Sequence, residues 1–358
     1  MLNSLMQKCI KLAEKGEGQV SPNPLVGAIV LDKDGNIVGE GYHQKYGEAH
    51  AEVNALNQAG EKARGGTIIV NLEPCSHFGK TPPCADLIIK KGIKKLIVGM
   101  IDPNPKVSGN GIQKCKDAGI NVQTGILEDK CKELNEIFLK NQTQKKPFIA
   151  LKIATTLDGK IATKKGSSKW ITSEKSREFV QKIRNKYDAI LTGSGTVIAD
   201  NPSMLCTIPN GKNPIKIVLD THAKTDPKSK IFEEGKIILA TKEKTNKYPK
   251  NVEILICPPD ENNQIDLNFL TKELYKKGIC SILVEAGSKI NSSFVKNNLA
   301  DKLYHFIAPK ILGDNQAISC FSGFDVNDIN NCLETTIKDI QKLDVDVIII
   351  YTFTCSLK

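Results

Sequence analysis

At 358 residues the chain is long enough for about two domains, and its 40% hydrophobic content supports ordinary buried cores and excludes wholesale disorder. No apolar run approaches the roughly 18 residues a bilayer-spanning helix needs, so a cytoplasmic protein with no membrane partner is expected. The net charge of +10 permits an anionic partner, but the lysines are dispersed and aromatics make up only 5%, which argues against nucleic acid.

Leu2, Leu5, Met6, Cys9, Ile10 and Ala13 follow helical spacing, so the N-terminus reads as the first helix rather than a signal peptide. Ser21-Pro22-Asn23-Pro24 is a turn before the apolar strand Leu25 to Leu31, and Asp34-Gly35 makes a hairpin with a second strand at Ile37-Val38-Gly39. A helix follows His50, then come a strand from Thr67, a helix from Cys84 to about Lys91 and a strand from Lys95 to Met100. A helix over Gly111 to Ala118, a strand over Asn121 to Thr124 and a closing helix over Leu127 to Phe138 complete an α/β pattern. The polar stretch Asn141 to Pro147 has no apolar periodicity, and the domain boundary is placed there, giving domains 1–145 and 146–358.

The second half restarts with a strand at Phe148 to Ile153 and the loop Thr155 to Ala162. Ser173 is a natural N-cap for a helix to about Lys186. Strands are expected at Ala189 to Thr192, Ile215 to Leu219, Ile237 to Ala240, Ile282 to Glu285, Lys302 to Ile307 and Val345 to Thr352, again α/β. Gly193-Ser194-Gly195 follows a strand, but the third glycine of a Rossmann fingerprint would be Ile198, so that motif fails.

The strongest chemical signal is His50-Ala51-Glu52, then Pro74-Cys75, then Cys84. One imidazole and two thiolates fill three corners of a tetrahedral zinc site and leave the fourth for a water, which a bound zinc activates at neutral pH. Glu52 stands where it can move protons without binding metal. This is the signature of zinc-dependent nucleobase deaminases. A closed structural site would need a fourth protein ligand, which His77 can offer; the placement of Glu52 favours catalysis. The remaining cysteines of the eleven, such as Cys9, Cys115, Cys280 and Cys355, read as small hydrophobes in a reducing compartment.

Eight residues, SHFGKTPP, separate Cys75 from Cys84, where nucleobase deaminases usually have two. With SPNPLVGAIV, GEAHAEVNAL and TPPCADLIIK, the first half resembles the bifunctional deaminase–reductases of riboflavin biosynthesis. ALKIATTLDGKIA, SKWITS, GSGTVIADNP, LVEAGSKINSSF and FIAPKILG extend the resemblance over nearly the whole chain. It implies a three-layer cytidine-deaminase-like α/β/α domain followed by a dihydrofolate-reductase-like α/β domain. It further implies one Zn2+ on His50, Cys75 and Cys84, and Glu52 as proton shuttle in hydrolytic deamination of a phosphoribosylaminopyrimidine. Asn23, His43, His77, Lys80, Asp102 and Asn104 are the matching substrate contacts, although Asn23 and Asn104 also suit turns and His43 a structural role.

In the second half the resemblance sets Ala154, Trp170, Thr196 and Asp200 against NADPH. The segment Gly287, Ser288, Lys289, Ile290, Asn291, Ser292 and Ser293 would take its phosphates through backbone N–H groups and hydroxyls. Ser168, Arg184, Leu205 or Met204, Thr207 and Glu285 match substrate positions, and Lys152 with Glu285 would polarise the reacting carbon as hydride opens the ribosyl ring to ribityl. The family's phosphate-gripping arginine is missing: Thr207 stands in its stretch, leaving Arg184 and then Lys212 as the cations to replace it. That gap keeps open a deaminase with a degenerate second domain, against which the retained TLDGK and Glu-Ala-Gly segments argue. An RNA deaminase is the other alternative, but it would want Pro-Cys-x-x-Cys and a basic, aromatic-rich second domain. A homo-oligomer is expected.

Overall fold

Short β-branched runs alternate with amphipathic helices, and in the computed structural model they assemble two separate sheets. The structure describes residues 1–76, 82–104, 108–209 and 211–353. The chain divides into two compact units, Met1–Lys145 and Lys146–Lys358.

In chain order the first unit holds α1 (Leu2–Glu14), β1 (Gly27–Leu31), β2 (Ile37–Tyr42), α2 (Ala51–Ala59), β3 (Thr67–Leu72) and α3 (Cys84–Lys90). There follow β4 (Lys95–Met100), α4 (Asn110–Asp117), β5 (Asn121–Gln123), α5 (Glu128–Leu134) and α6 (Glu136–Gln144). The sheet order is β2-β1-β3-β4-β5, with β3, β4 and β5 parallel and β1 antiparallel to both its neighbours. Successive residues of a strand point to opposite faces. Ala28, Val30, Ile68, Val70, Leu96 and Val98 therefore pack with Ala55 and Leu56 of α2, Ile88 of α3 and Ile112 of α4. Ile29, Ile69 and Ile97 pack on the other face with Met6 and Cys9 of α1 and Cys131 of α5. Three layers result.

Two glycines of β2 bring α2 close. A Cβ on Gly39 would lie 2.2 Å from the Ala55 carbonyl oxygen, and one on Gly41 would lie 2.5 Å from that of Ala51. The closing helix differs from expectation. It is two helices, broken at Asn135, whose side chain accepts from the Leu25 N–H at 2.8 Å and donates to the Leu25 carbonyl at 3.0 Å. α6 continues to Gln144 through the stretch read as a linker, because Phe138 and Leu139 pack on the core beside α1.

The second unit holds β6 (Phe148–Thr156), β7 (Lys160–Ala162), α7 (Glu174–Lys186), β8 (Ala189–Gly193), α8 (Ser194–Asp200), β9 (Ile215–Leu219), β10 (Ile237–Thr241) and β11 (Val252–Ile256). α9 (Leu267–Lys276), β12 (Ser281–Val284), α10 (Ser288–Lys296), β13 (Lys302–Ala308), β14 (Ile318–Ser319), β15 (Thr335–Leu343) and β16 (Asp346–Phe353) complete it. Nine strands run in the order β11-β10-β9-β8-β12-β6-β13-β16-β15, parallel from β11 to β13 and closed by the antiparallel β16 and β15. α9 and α10 cover one face through Leu270, Leu274 and Phe294. Val197 of α8 joins the apolar cluster of the other face, where Phe179 of α7 meets Phe306 edge-on. Ser173 caps α7 as its sequence suggests, accepting from the Ser176 N–H, while the Gly193-Ser194-Gly195 turn is the start of α8. α8 and α10 each begin straight after a parallel strand, so their N-termini stand at the carboxyl edge of the sheet, the usual place for a ligand.

Candidate active sites

In the first unit, β3 and the two helices that begin at His50 and Cys84 build the metal cluster. His50 is the N-cap residue of α2, Glu52 lies in its first turn, and Cys84 is the first residue of α3. The His50 Nδ1 atom is 3.3 Å from the Cys84 Sγ and 3.7 Å from the Cys75 Sγ, and the three ligand atoms all lie within 4.8 Å of one another. With bonds of about 2.3 Å to sulfur and about 2.05 Å to nitrogen, tetrahedral zinc wants S···N separations of about 3.6 Å. The residues fit.

Electrostatics favour a cation here. The Cys75 thiol is held down to about 4, first by its hydrogen bond with the Cys84 side chain and then by His50. The backbone N–H of Cys84, at the start of α3, also donates to its sulfur at 3.3 Å. Cys84 is correspondingly pushed up, by the bond with Cys75 and by burial. The pair therefore shares a proton that a metal displaces. Glu52 is only 3% exposed; burial, and then the Cys75 thiolate, raise its carboxyl to about 7. A carboxyl poised there can both take and give a proton at neutral pH.

Asn23 and His43 come together beside this cluster. The Ala49 carbonyl can only accept, so His43 Nδ1 carries the proton at 3.1 Å, and Nε2 accepts from Asn23 Nδ2 at 3.0 Å. Burial favours this neutral imidazole. Its ring stands edge-on to that of His50, with centroids 5.5 Å apart. Asp102 and Asn104 follow β4, and the Asp102 carboxylate accepts from the Asn104 N–H at 2.8 Å. His77 and Lys80 lie outside the described residues.

In the second unit, Lys152 of β6, Arg184 of α7 and Glu285 after β12 meet at the carboxyl edge. Arg184 donates from Nε to Glu285 Oε1 at 2.8 Å and from Nη2 to Oε2 at 3.1 Å, while Lys152 Nζ stands 3.7 Å from Oε2. Burial alone would raise the Glu285 carboxyl, but Arg184 and Lys152 override it and hold it at about 2. Burial lowers Lys152. Arg184 also donates to the Leu205 carbonyl at 2.9 Å and reaches the sulfur of Met204, so it braces both residues proposed to touch substrate. Lys212 is at the other end of the sheet, 3.5 Å from Asp188 just before β8, and Thr207 is exposed.

Ser168 reaches Asp200 at 3.4 Å, and Lys169 donates to the Asp200 carbonyl at 3.2 Å, which joins the 168–170 loop to the end of α8. Trp170 is 64% exposed, so it is not a core residue; its ring stacks 4.5 Å from the Arg177 guanidinium. Thr156, Ser168, Trp170 and Lys310 line a cavity of about 230 Å³. One wall is pinned by Asp158, absent from the sequence expectations, which accepts from the N–H groups of Leu312 at 3.1 Å and Gly313 at 2.8 Å. Ala154 is partly exposed on β6, and Thr196 is likewise accessible on α8.

The 287–293 segment is the first part of α10. Ile290 fills the space a side chain at Gly193 would need, which packs this helix against the β8–α8 corner. The Ser288 hydroxyl bonds to that of Ser322, Ser292 accepts from the Ser322 N–H, and Ser293 bonds back to the Lys289 carbonyl. The hydroxyls are thus engaged within the protein, which leaves the backbone at the helix start, where a Cβ on Gly287 would meet nothing. Asn291 Oδ1 is buried with no partner among the described residues. The open glycine at a helix start fits a phosphate-bearing cofactor.

Comparison with known proteins gives two family matches. Residues 1–100 match the cytidine and deoxycytidylate deaminase zinc-binding region, and residues 147–349 match the RibD C-terminal domain. The riboflavin biosynthesis protein RibD of Aquifex aeolicus (strain VF5) is 42% identical over 353 residues, covering 97% of each chain. The crystal structure of a diaminohydroxyphosphoribosylaminopyrimidine deaminase/5-amino-6-(5-phosphoribosylamino)uracil reductase from Thermotoga maritima superposes with a TM-score of 0.90 at 41% identity, covering 98% of both. RibD of Acinetobacter baumannii superposes with 0.89 at 36% identity, covering 99% of both.

Proposed function

The chain belongs to the RibD family of bifunctional riboflavin-biosynthesis enzymes, and from that membership we propose how its two units divide the chemistry. It is a deaminase and a reductase in one polypeptide, a cytidine-deaminase-like fold followed by a dihydrofolate-reductase-like one, with zinc and NADPH as cofactors. Residues 1–145 carry the hydrolase and 146–358 the oxidoreductase. The observation that carries this reading is the convergence of His50, Cys75 and Cys84 beside a buried Glu52 poised near neutrality.

The substrate is the diaminohydroxyphosphoribosylaminopyrimidine for which the Thermotoga relative is named. His50, Cys75 and Cys84 would hold zinc, which would supply Lewis acidity to make a water-derived nucleophile available at neutral pH. Glu52 accepts a proton from the attacking water and returns it to the departing amine. Asn23, bound to neutral His43, orients the ring, and Asp102 and Asn104 flank it.

In the second unit Ala154, Trp170, Thr196, Asp200 and the start of α10 would hold NADPH, which would supply the hydride. Glu285, held ionised by Arg184, cannot donate a proton there. Lys152 is the group with a proton to give, and its lowered affinity for it suits the transfer to the opening sugar oxygen. Ser168, Leu205 and Thr207 contact the substrate, while Arg184 acts through Glu285 and the 204–205 backbone. The complete Lys152–Glu285–Arg184 cluster speaks against a degenerate second domain. We further propose a cytoplasmic homo-oligomer. Support for a reducing compartment comes from the described cysteines, none of which is in a disulfide.

Supplying the aminopyrimidine substrate and following ammonia release and NADPH oxidation separately tests both assignments. Ammonia without NADPH oxidation would remove the reductase.

A further inference from the structure

Glu73 stands between β3 and the ligand Cys75, is only 4% exposed, and spends both carboxylate oxygens on the backbone of another segment. Oε2 accepts from the N–H groups of Asp102 at 3.2 Å and Gly109 at 3.0 Å. Oε1 accepts from Gly111 at 3.0 Å and Ile112 at 3.3 Å. Its own N–H donates to the Met100 carbonyl at 3.0 Å.

The local sequence explains why such a bond set is needed. The residue before α4 is Gly109, which has no side chain to satisfy the first N–H groups of the helix. Gly111 and Ile112 hold the positions an N-cap oxygen normally serves, and Glu73 serves them from across the unit. The approach is tight: a Cβ on Gly111 would lie 2.0 Å from the Pro74 carbonyl oxygen. One carboxylate thus fixes the end of β4, with Asp102, and the start of α4 onto the segment that delivers Cys75.

We infer that Glu73 is a positioning residue of the deaminase, holding Asp102 and Asn104 at the substrate side of the zinc cluster without touching metal or substrate. The inference rests on the deaminase reading and on Asp102 and Asn104 as substrate contacts. Glu73→Gln keeps the shape but puts an NH2 group against two of the four N–H donors, so the loop loses its registration while Cys75 keeps its place.

The test uses full-length, zinc-loaded enzyme with the aminopyrimidine substrate. Glu73→Gln raises the KM for deamination by about tenfold or more, as expected for two lost charge-assisted bonds. The deaminase kcat stays within about threefold, zinc stays at one per chain, and reduction of the deaminated intermediate is unchanged. In an Asp102→Ala background, Glu73→Gln adds little further to KM, because both changes act through one loop. An unaltered KM, or zinc and kcat falling together, overturns the inference. If Glu73→Gln does not accumulate as folded protein, Glu73→Asp carries the test by the same split of KM from kcat. Failure of the deaminase reading is distinguishable, since it appears in the wild type as absence of ammonia.

Discussion

Glu52 and the three metal ligands make separable demands. Glu52→Gln keeps the zinc but lowers deamination by at least about a hundredfold, the usual worth of a positioned acid–base group. Cys75→Ala loses the zinc itself, read by metal analysis, and leaves NADPH oxidation on the deaminated intermediate intact. In the second unit, Arg184→Ala leaves Glu285 with only the more distant Lys152, and removing one partner of a buried pair costs about 3–5 kcal/mol. Reduced thermal stability with a fall in reductase kcat is therefore expected; an unchanged melting temperature with only a raised KM would instead mean that Arg184 grips the phosphate. The convergence of His50, Cys75 and Cys84 beside Glu52 was legible because metal-ligand spacing leaves a pattern in the sequence. Glu73 and Asp158 were not, because a carboxylate that caps distant backbone carries no local pattern. A helix start at Gly109 with no capping side chain was the only hint.

Elements were legible where burial imposes a period. The hairpin at Asp34-Gly35, most of the parallel strands and the Ser173 cap emerged from the sequence, whereas the partly exposed strand β11 did not. α9 carried its own signal, since Asp266 accepts from the Asn268 and Phe269 N–H groups and Leu267, Leu270 and Leu274 share a face, yet the strand pattern passed over it. β15 carried none, being exposed along almost its whole length. The α2–β2 contact yields a sharper expectation. Gly41→Ala drives a methyl group into the Ala51 carbonyl and the Ala55 N–H, each 2.5 Å away, in the helix that bears His50 and Glu52. Overpacking of this kind costs about 1–3 kcal/mol. Lower zinc occupancy at limiting metal should accompany the lost stability, and wild-type occupancy would show that the helix shifts as a body.

At the scale of the molecule, two units with separate cores imply separable chemistry. A fragment starting at Lys146 should oxidise NADPH with the deaminated intermediate and release no ammonia. The units should also differ in acid. His305, bonded through Nε2 to the Thr155 hydroxyl at 2.9 Å, is lowered by burial from 6.5 to about 4. Its neutral form is native, so the stability it allows is complete above about 6.5 and is lost as pH falls toward 4, by at most about 2 kcal/mol between pH 7 and 5. Denaturant midpoints of the second unit should show this slope, and His305→Gln should flatten it.

The edge strand β15 has a consequence for handling the protein. Ile337 and Ile340 are 53% and 58% exposed on a strand whose outer side has no neighbour among the described residues, and Lys338, Asp339 and Lys342 are interspersed with them. Charges on such an edge oppose indiscriminate strand addition. Replacing Lys338 and Lys342 with valine should lower the concentration at which light scattering begins, with both activities per folded molecule unchanged. The two lysines are then guardians of colloidal solubility, protecting a sheet that would otherwise go on growing from one molecule into the next.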